Sequence, residues 1–333
     1  MSHKNIRYDL IERLRNLHHE DFEQTALDIF HYQAVCNPVY AQFIDYLNLD
    51  PYKVNTIQQI PFLPIQLFKT HKIQSDQWTE ACIFSSSGTS GSINSKHYVR
   101  DLEWYKDCAL NSFEQIYGNL KDYILLALLP KYLERKGSSL VYMAKYFIDQ
   151  TMHPVSNFFL NDLDRLRTIL MDRKKYDRKI ILLGVSFALM DLAAKGQLDL
   201  NDVLIMETGG MKGERPEMTK EALHLSLKNA FNVENIHAEY GMTELLSQAY
   251  STSDGVFTTS PLMKVMIREL NDPFHFLPIN KTGGVNVIDL ANLDSCAFIA
   301  TDDLGCQIDA NKFRILGRID HSDIRGCNLM YPT

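Results

Sequence analysis

Three short runs in this 333-residue chain are apolar almost without a break: YILLALL at 123–129, KIILLGV at 179–185 and VLIME at 203–207. A strand with one wet face alternates, so unbroken runs of this length predict strands covered on both faces, as in a parallel sheet. Around and between them lie segments with helical character, at 102–117, 160–174, 187–195 and 216–231. Strand and helix in alternation predict a doubly wound α/β architecture. Such sheets bind ligands in the crevice beyond the carboxyl ends of their strands. The residues that follow each predicted strand are therefore the first place to look for chemistry.

Ile83 and Phe84 end one predicted strand, and SSSGTSG follows at 85–91. Glycine allows positive φ and close approach of the backbone to a ligand. Hydroxyls and free N–H groups then face phosphate oxygens. No Gly-Lys-Ser/Thr closes the loop, so it is not a Walker A loop. Alone, it reads equally well as a solvated Ser/Gly turn. The strand at 203–207 delivers Thr208, Gly209 and Gly210, and a short strand at 236–239 delivers YGMTE at 240–244. Further on stand TDDLG at 301–305 and GRIDHSDIRG at 317–326.

The flanks read differently. Ile6, Leu10, Leu14 and Leu17 keep helical spacing, as do Phe22, Ala26, Ile29 and Phe30, then Val39, Tyr40, Phe43, Ile44 and Leu47. Asn37-Pro38 breaks the helical run, because the residue before proline avoids the α region. Pro61 and Pro64 make 56–69 partly extended, and 96–101 is expected as a hairpin's return strand or a return segment. From 262 to 315, KVMIREL, GGVNVIDL and CAFIATD alternate with turns, which predicts an antiparallel β subdomain. The expected division is 1–260, a helical segment plus α/β nucleotide-binding core, and 261–333, a β-rich subdomain with a tail.

Lys and Arg number 34 against 41 Asp and Glu, a net charge of −7, which gives no support for nucleic-acid binding. Cysteines 36, 82, 108, 296, 306 and 327 form no Cys-x-x-Cys pair, so neither a zinc knuckle nor a redox dithiol is indicated. The opening MSHKNIRYDLIERLRNLHHE is too charged for a signal peptide. No apolar run approaches the about 18 residues of a membrane span. A reducing cytoplasm is the expected setting.

The phosphate-type loop, YGMTE, TDDL and the GRID segment occur in the order expected of the adenylate-forming enzymes, which include acyl-CoA synthetases, phenylacetate-CoA ligase and luciferase. TGGMKG at 208–213 and the short chain look most like the LuxE-type acyl-protein synthetases. The resemblance runs from Pro61 to the C-terminus. It implies the large N-terminal domain of that superfamily, with a C-terminal β subdomain. It also implies ATP and Mg2+. Ser86, Ser87, Gly88, Thr89, Ser90 and Gly91 would cradle the β- and γ-phosphates. Tyr240, in one motif with Gly241, would pack on adenine, which Gly209 and Gly210 would let approach closely. Thr243 would touch the α-phosphate and Glu244 would ligate magnesium. Asp303 would accept the ribose hydroxyls, with Arg318 on the same ribose.

Each residue also has a bland reading. Tyr240 reads as a core tyrosine, Thr243-Glu244 as a helix start, Asp302-Asp303 as turn residues, and Lys212, placed in a glycine turn where it could bind phosphate or the substrate carboxylate, as solvated. Four such motifs in order are specific where each alone is not. Two departures stand out. Asn94 occupies the place of the usual loop lysine, with Lys96 displaced, and the sequence ends at Thr333 where full-length acyl-CoA synthetases continue into a lid domain. The resemblance thus predicts a chain without that lid. Its expected activity is ATP-dependent activation of a long-chain fatty acid, with transfer to a protein thiol and on to an acyl-CoA or fatty-acid reductase partner. Cys327, near the C-terminus with Arg325 beside it, is the expected acceptor. Two alternatives remain open: an aryl- or acyl-CoA ligase of phenylacetate-CoA ligase type, and a non-catalytic nucleotide-binding partner of an acyl-CoA reductase.

Overall fold

The computed structural model describes residues 3–86, 93–130, 137–160, 162–209 and 218–319. Three helices open it: α1 (His3–Arg15), α2 (Phe22–Cys36) and α3 (Pro38–Tyr46). Asn37 separates the last two. Its side chain accepts the Tyr40 N–H and Pro38 supplies a preset φ, so the break is also a cap. A two-residue strand β1 (Leu63–Pro64) and a single turn α4 (Leu67–Thr70) lead to the hairpin β2 (Cys82–Ser85) and β3 (Lys96–Val99).

The α/β portion follows: α5 (Leu102–Tyr117), β4 (Tyr123–Leu128), α6 (Ser139–Thr151), β5 (Asn157–Phe159), α7 (Leu163–Met171), β6 (Lys179–Val185), α8 (Ser186–Ala194), β7 (Val203–Thr208), α9 (Lys220–Phe231) and β8 (His237–Tyr240). Asp101 caps α5 by accepting two backbone N–H groups, and Gly118 ends that helix at φ 77°. All six residues of β4 are buried, as are the last six of β6, which is why these strands read as unbroken apolar runs. The remaining strands are β9 (Ala249–Ser251), β10 (Val256–Thr259), β11 (Met263–Arg268), β12 (Thr282–Asp289), β13 (Phe298–Asp309) and β14 (Lys312–Arg318).

One sheet collects twelve strands in the order β11-β12-β13-β14-β10-β9-β8-β7-β6-β4-β5, with β1 pairing parallel to β13. Strands β5, β4, β6, β7 and β8 are parallel, and the pairing turns antiparallel at β8–β9. The strands of 263–318 therefore continue the sheet that carries the α/β portion. The hairpin β2–β3 stands apart as a two-stranded sheet.

The N-terminal helices pack on the antiparallel half. Phe30 meets Phe298 edge-on at 6.1 Å and Tyr40 stacks on it at 6.2 Å. Gln33, fully buried, donates to the carbonyls of Asn292 and Leu293 and accepts the Ala297 N–H. An apolar face and a satisfied buried amide together fix this docking.

Candidate functional site

β7 ends at Thr208 and hands over to Gly209 at φ 69°, a left-handed conformation that suits glycine. On the neighbouring strand, β8 ends at Tyr240. Its ring is flanked by Phe257 at 5.7 Å and Phe313 at 5.3 Å. Its hydroxyl donates to Asp303 Oδ2 at 2.8 Å. Asp303 lies on β13 directly opposite Arg318 of β14, whose Nε is 3.5 Å from the other carboxylate oxygen. Thus Asp302 and Asp303 belong to a strand, not a turn. Burial pushes the Asp303 carboxyl up, opposed by Tyr240 and Arg318. The Arg318 side chain is 77% exposed, so this pair opens to solvent on one side. Arg268 of β11 ties β13 to β12, donating to the carbonyls of Thr301 at 2.7 Å and Val285 at 2.9 Å.

Residues 241–248 form turns and irregular structure rather than a helix start. Their shape is set by distant side chains. Asp289 accepts the N–H groups of Leu246 and Ser247 and the Ser247 hydroxyl. Asn292 donates to the Glu244 carbonyl at 2.8 Å, and the His97 ring meets the Thr243 carbonyl at 2.9 Å. Thr243 and Glu244 are thereby presented at the same sheet edge as Tyr240. Glu244 is 6% exposed. Burial pushes its carboxyl up, while Ser95, its own N–H, Arg318 and Lys69 favour the ionised form.

The phosphate-type loop is seen at its stem. Ser86 and Ser95 exchange two bonds: Ser86 N–H donates to the Ser95 carbonyl at 3.1 Å, and Ser86 Oγ accepts the Ser95 N–H at 2.9 Å. Lys96, exposed, pairs with Ser85 at the base of the hairpin. His97 of β3, two residues beyond Ser95, bonds to the Thr243 carbonyl, so the hairpin stem and the YGMTE turn meet. Ser87, Gly88, Thr89, Ser90, Gly91, Gly210, Lys212 and Cys327 lie outside the described residues.

Besides Asp289, two further buried carboxylates near this edge escaped the sequence reading. Glu239, just before Tyr240, accepts the Thr208 hydroxyl, and burial raises it to about 7. A Cβ at Gly241 would run into Glu239 Oε1, so that carboxylate would have to shift to admit a larger residue. Glu207, on the opposite face of the sheet, meets Lys220 Nζ at 3.0 Å, His224 Nε2 at 3.5 Å and the Ser186 hydroxyl at 3.1 Å. Burial would raise Glu207, but Lys220 and His224 outweigh it and leave it low. A carboxylate inside an apolar strand was the available signal, since acidic residues are seldom buried unpaired.

Among the described residues no group of three or more His, Cys, Asp or Glu side chains could hold a metal by itself. Magnesium is commonly held by one or two carboxylates together with substrate phosphates. Glu244, a hard oxygen donor beside the loop stem, fits that mode. No helix among the described residues is long and apolar enough to cross a membrane.

No family profile and no curated protein sequence matches the chain. Solved structures do. An open conformation of 2-hydroxyisobutyryl-CoA ligase, in complex with 2-HIB-AMP and CoA, is 13% identical at a TM-score of 0.66, over 90% of this chain and 70% of its own. ATP-bound MatB from Rhodopseudomonas palustris is 15% identical at 0.53, over 73% and 49%. The ATP-bound RpMatB-BxBclM chimera B3 is 16% identical at 0.53, with the same coverage. The match thus spans about half the length of the MatB structures. Likeness at this identity is likeness of fold. The chain has the mixed α/β fold of adenylate-forming ligases.

Proposed function

We propose that this protein uses ATP to convert a carboxylic acid into an acyl adenylate. The observation that carries the reading is a convergence. Tyr240, Asp303 and Arg318 meet through direct contacts, and the turn that follows Tyr240 and carries Thr243 and Glu244 is bonded through His97 to the hairpin whose stem bears the 85–91 loop. A carboxylate oxygen attacks the α-phosphorus; the acyl C–O–P bond forms as the bond to pyrophosphate breaks. Ser86 to Gly91 hold the β- and γ-phosphates. Tyr240, Gly209, Gly210 and Gly241 border the adenine, while Asp303 and Arg318 take the ribose. The Thr243 hydroxyl donates to the α-phosphate as its charge builds. Glu244, with the phosphates of ATP, would hold magnesium, which would offset that charge when bound.

The finer reading rests on the resemblance. The acid is a long-chain fatty acid. The Cys327 thiolate attacks the acyl carbonyl, AMP leaves, and a thioester forms that is passed to a cytoplasmic acyl-CoA or fatty-acid reductase. Cys296 is a poor alternative acceptor, because burial pushes its thiol up to about 12. A second reading, transfer to CoA as in phenylacetate-CoA ligase, is favoured by the likeness to a CoA-bound ligase. Glu244→Gln tests the core claim, since it removes charge with little volume. It should cut acid-dependent ATP–pyrophosphate exchange by on the order of 100-fold with the melting temperature kept. Unchanged exchange would remove Glu244 from this role.

A further inference from the structure

β3 leaves the loop stem and turns His97 inward, where it is 1% exposed. Nδ1 lies 2.9 Å from the Thr243 carbonyl oxygen and Nε2 lies 2.9 Å from Ser295 Oγ. Burial lowers the imidazole to about 4, against the pull of the Thr243 carbonyl, so the ring is neutral near pH 7. A carbonyl oxygen only accepts. The proton therefore sits on Nδ1, and Nε2 accepts the Ser295 hydroxyl. Phe68 meets the ring edge-on at 5.8 Å and limits its rotation.

Ser295 is itself tied down. Its carbonyl accepts the Ser75 hydroxyl at 2.6 Å and the Asn37 amide at 2.8 Å, and its N–H donates to the Asn292 carbonyl at 3.0 Å. The chain of bonds runs from the α2–α3 junction through Ser75, Ser295 and His97 to Thr243. Asn292 also holds the next carbonyl, that of Glu244. The turn is thus gripped at two successive carbonyls by groups whose places are set elsewhere. Buried hydrogen bonds of this kind, anchored at both ends, favour one geometry.

We propose that His97 is a positioning residue for adenylation: held as the Nδ1–H tautomer, it locks the Thr243–Glu244 turn to the hairpin that carries the phosphate-type loop. The inference rests on the adenylation reading above. What His97 sets is the place of the Thr243–Glu244 turn relative to the hairpin stem at Ser86 and Ser95. Misplacement of such groups by about 1 Å is enough to cost on the order of 100-fold in rate.

His97→Phe keeps a ring against Phe68 and removes both hydrogen bonds. Ser295→Ala removes only the donor to Nε2 and serves if the first variant does not fold. Each is compared with the wild-type chain for MgATP affinity by calorimetry, for Mg2+ dependence of that affinity, and for exchange turnover per folded molecule. Nitrogen NMR of the wild type should show a proton on Nδ1 and an accepting Nε2. The variants should bind MgATP about tenfold more weakly, as expected for a lost hydrogen-bonded position, need more Mg2+, and keep their acid KM. A role in folding alone would lower the folded fraction and leave MgATP affinity, its Mg2+ dependence and exchange turnover per folded molecule unchanged. Wild-type affinity and Mg2+ dependence in folded variants would overturn the proposal and leave the adenylation reading standing. A wild type that binds no MgATP would overturn both.

Discussion

The Tyr240 hydroxyl donates to Asp303 Oδ2 at 2.8 Å, tying the end of a parallel strand to an antiparallel strand 63 residues away. Register does the rest, because Asp303 stands opposite Arg318. One carboxylate oxygen is engaged by the phenol and the other faces an exposed guanidinium. The bland reading of Tyr240 and the nucleotide reading are therefore compatible: a core tyrosine with a satisfied hydroxyl orients the carboxylate read as the ribose anchor.

Tyr240→Phe tests that relation. It leaves a buried carboxylate without its donor, which costs about 1–3 kcal/mol. Denaturant unfolding should show that loss. In exchange assays the KM for ATP should rise several-fold and the KM for the acid should hold. An unchanged ATP KM would mean that Tyr240 serves the core alone.

Glu239 gives a pH signature. Its folded value of about 7 lies above the ordinary 4.5 because of burial. Between those values the folded protein keeps a proton that the unfolded chain has released. Stability therefore falls as pH rises through that window and stays lower above it, by at most about 3 kcal/mol. Glu239→Gln retains an oxygen for the Thr208 hydroxyl and removes the charge. Its stability should be flatter from pH 4.5 to 7 and exceed that of the wild type above pH 7. Parallel stability curves would contradict this account of Glu239.

Cys327→Ser addresses the acceptor. Adenylate formation should persist, and labelling of the protein by radioactive acid as a thioester should disappear. Label retained in that variant would move the acceptor elsewhere, with Cys306, partly exposed, the next to replace.

How much of this could be read from the sequence depends on burial. β4, β6 and β7 were legible because strands covered on both faces leave unbroken apolar runs. β5, β9 and β10 were not anticipated. They have three or four residues, and AYS and VFTT mix polar with apolar side chains, too few for a period to show. The N-terminal stripes predicted helices but not their partner, since nothing in Gln33 or in 292–297 announces a contact across some 260 residues. In the site, the motif residues were legible and their supports were not. His97, Asp289 and Asn292 are single polar residues in the sequence. They acquire meaning only when the fold buries them against the backbone of the YGMTE turn.

The most direct test of adenylation is ATP–pyrophosphate exchange by the full chain with Mg2+ and a panel of carboxylic acids, long-chain fatty acids and aryl acids among them, with products read by mass spectrometry. The account predicts exchange that requires both Mg2+ and one class of acid, with an acyl-AMP of matching mass. MgATP binding with no acid-dependent exchange from any member of the panel would contradict it and favour a nucleotide-binding role without catalysis.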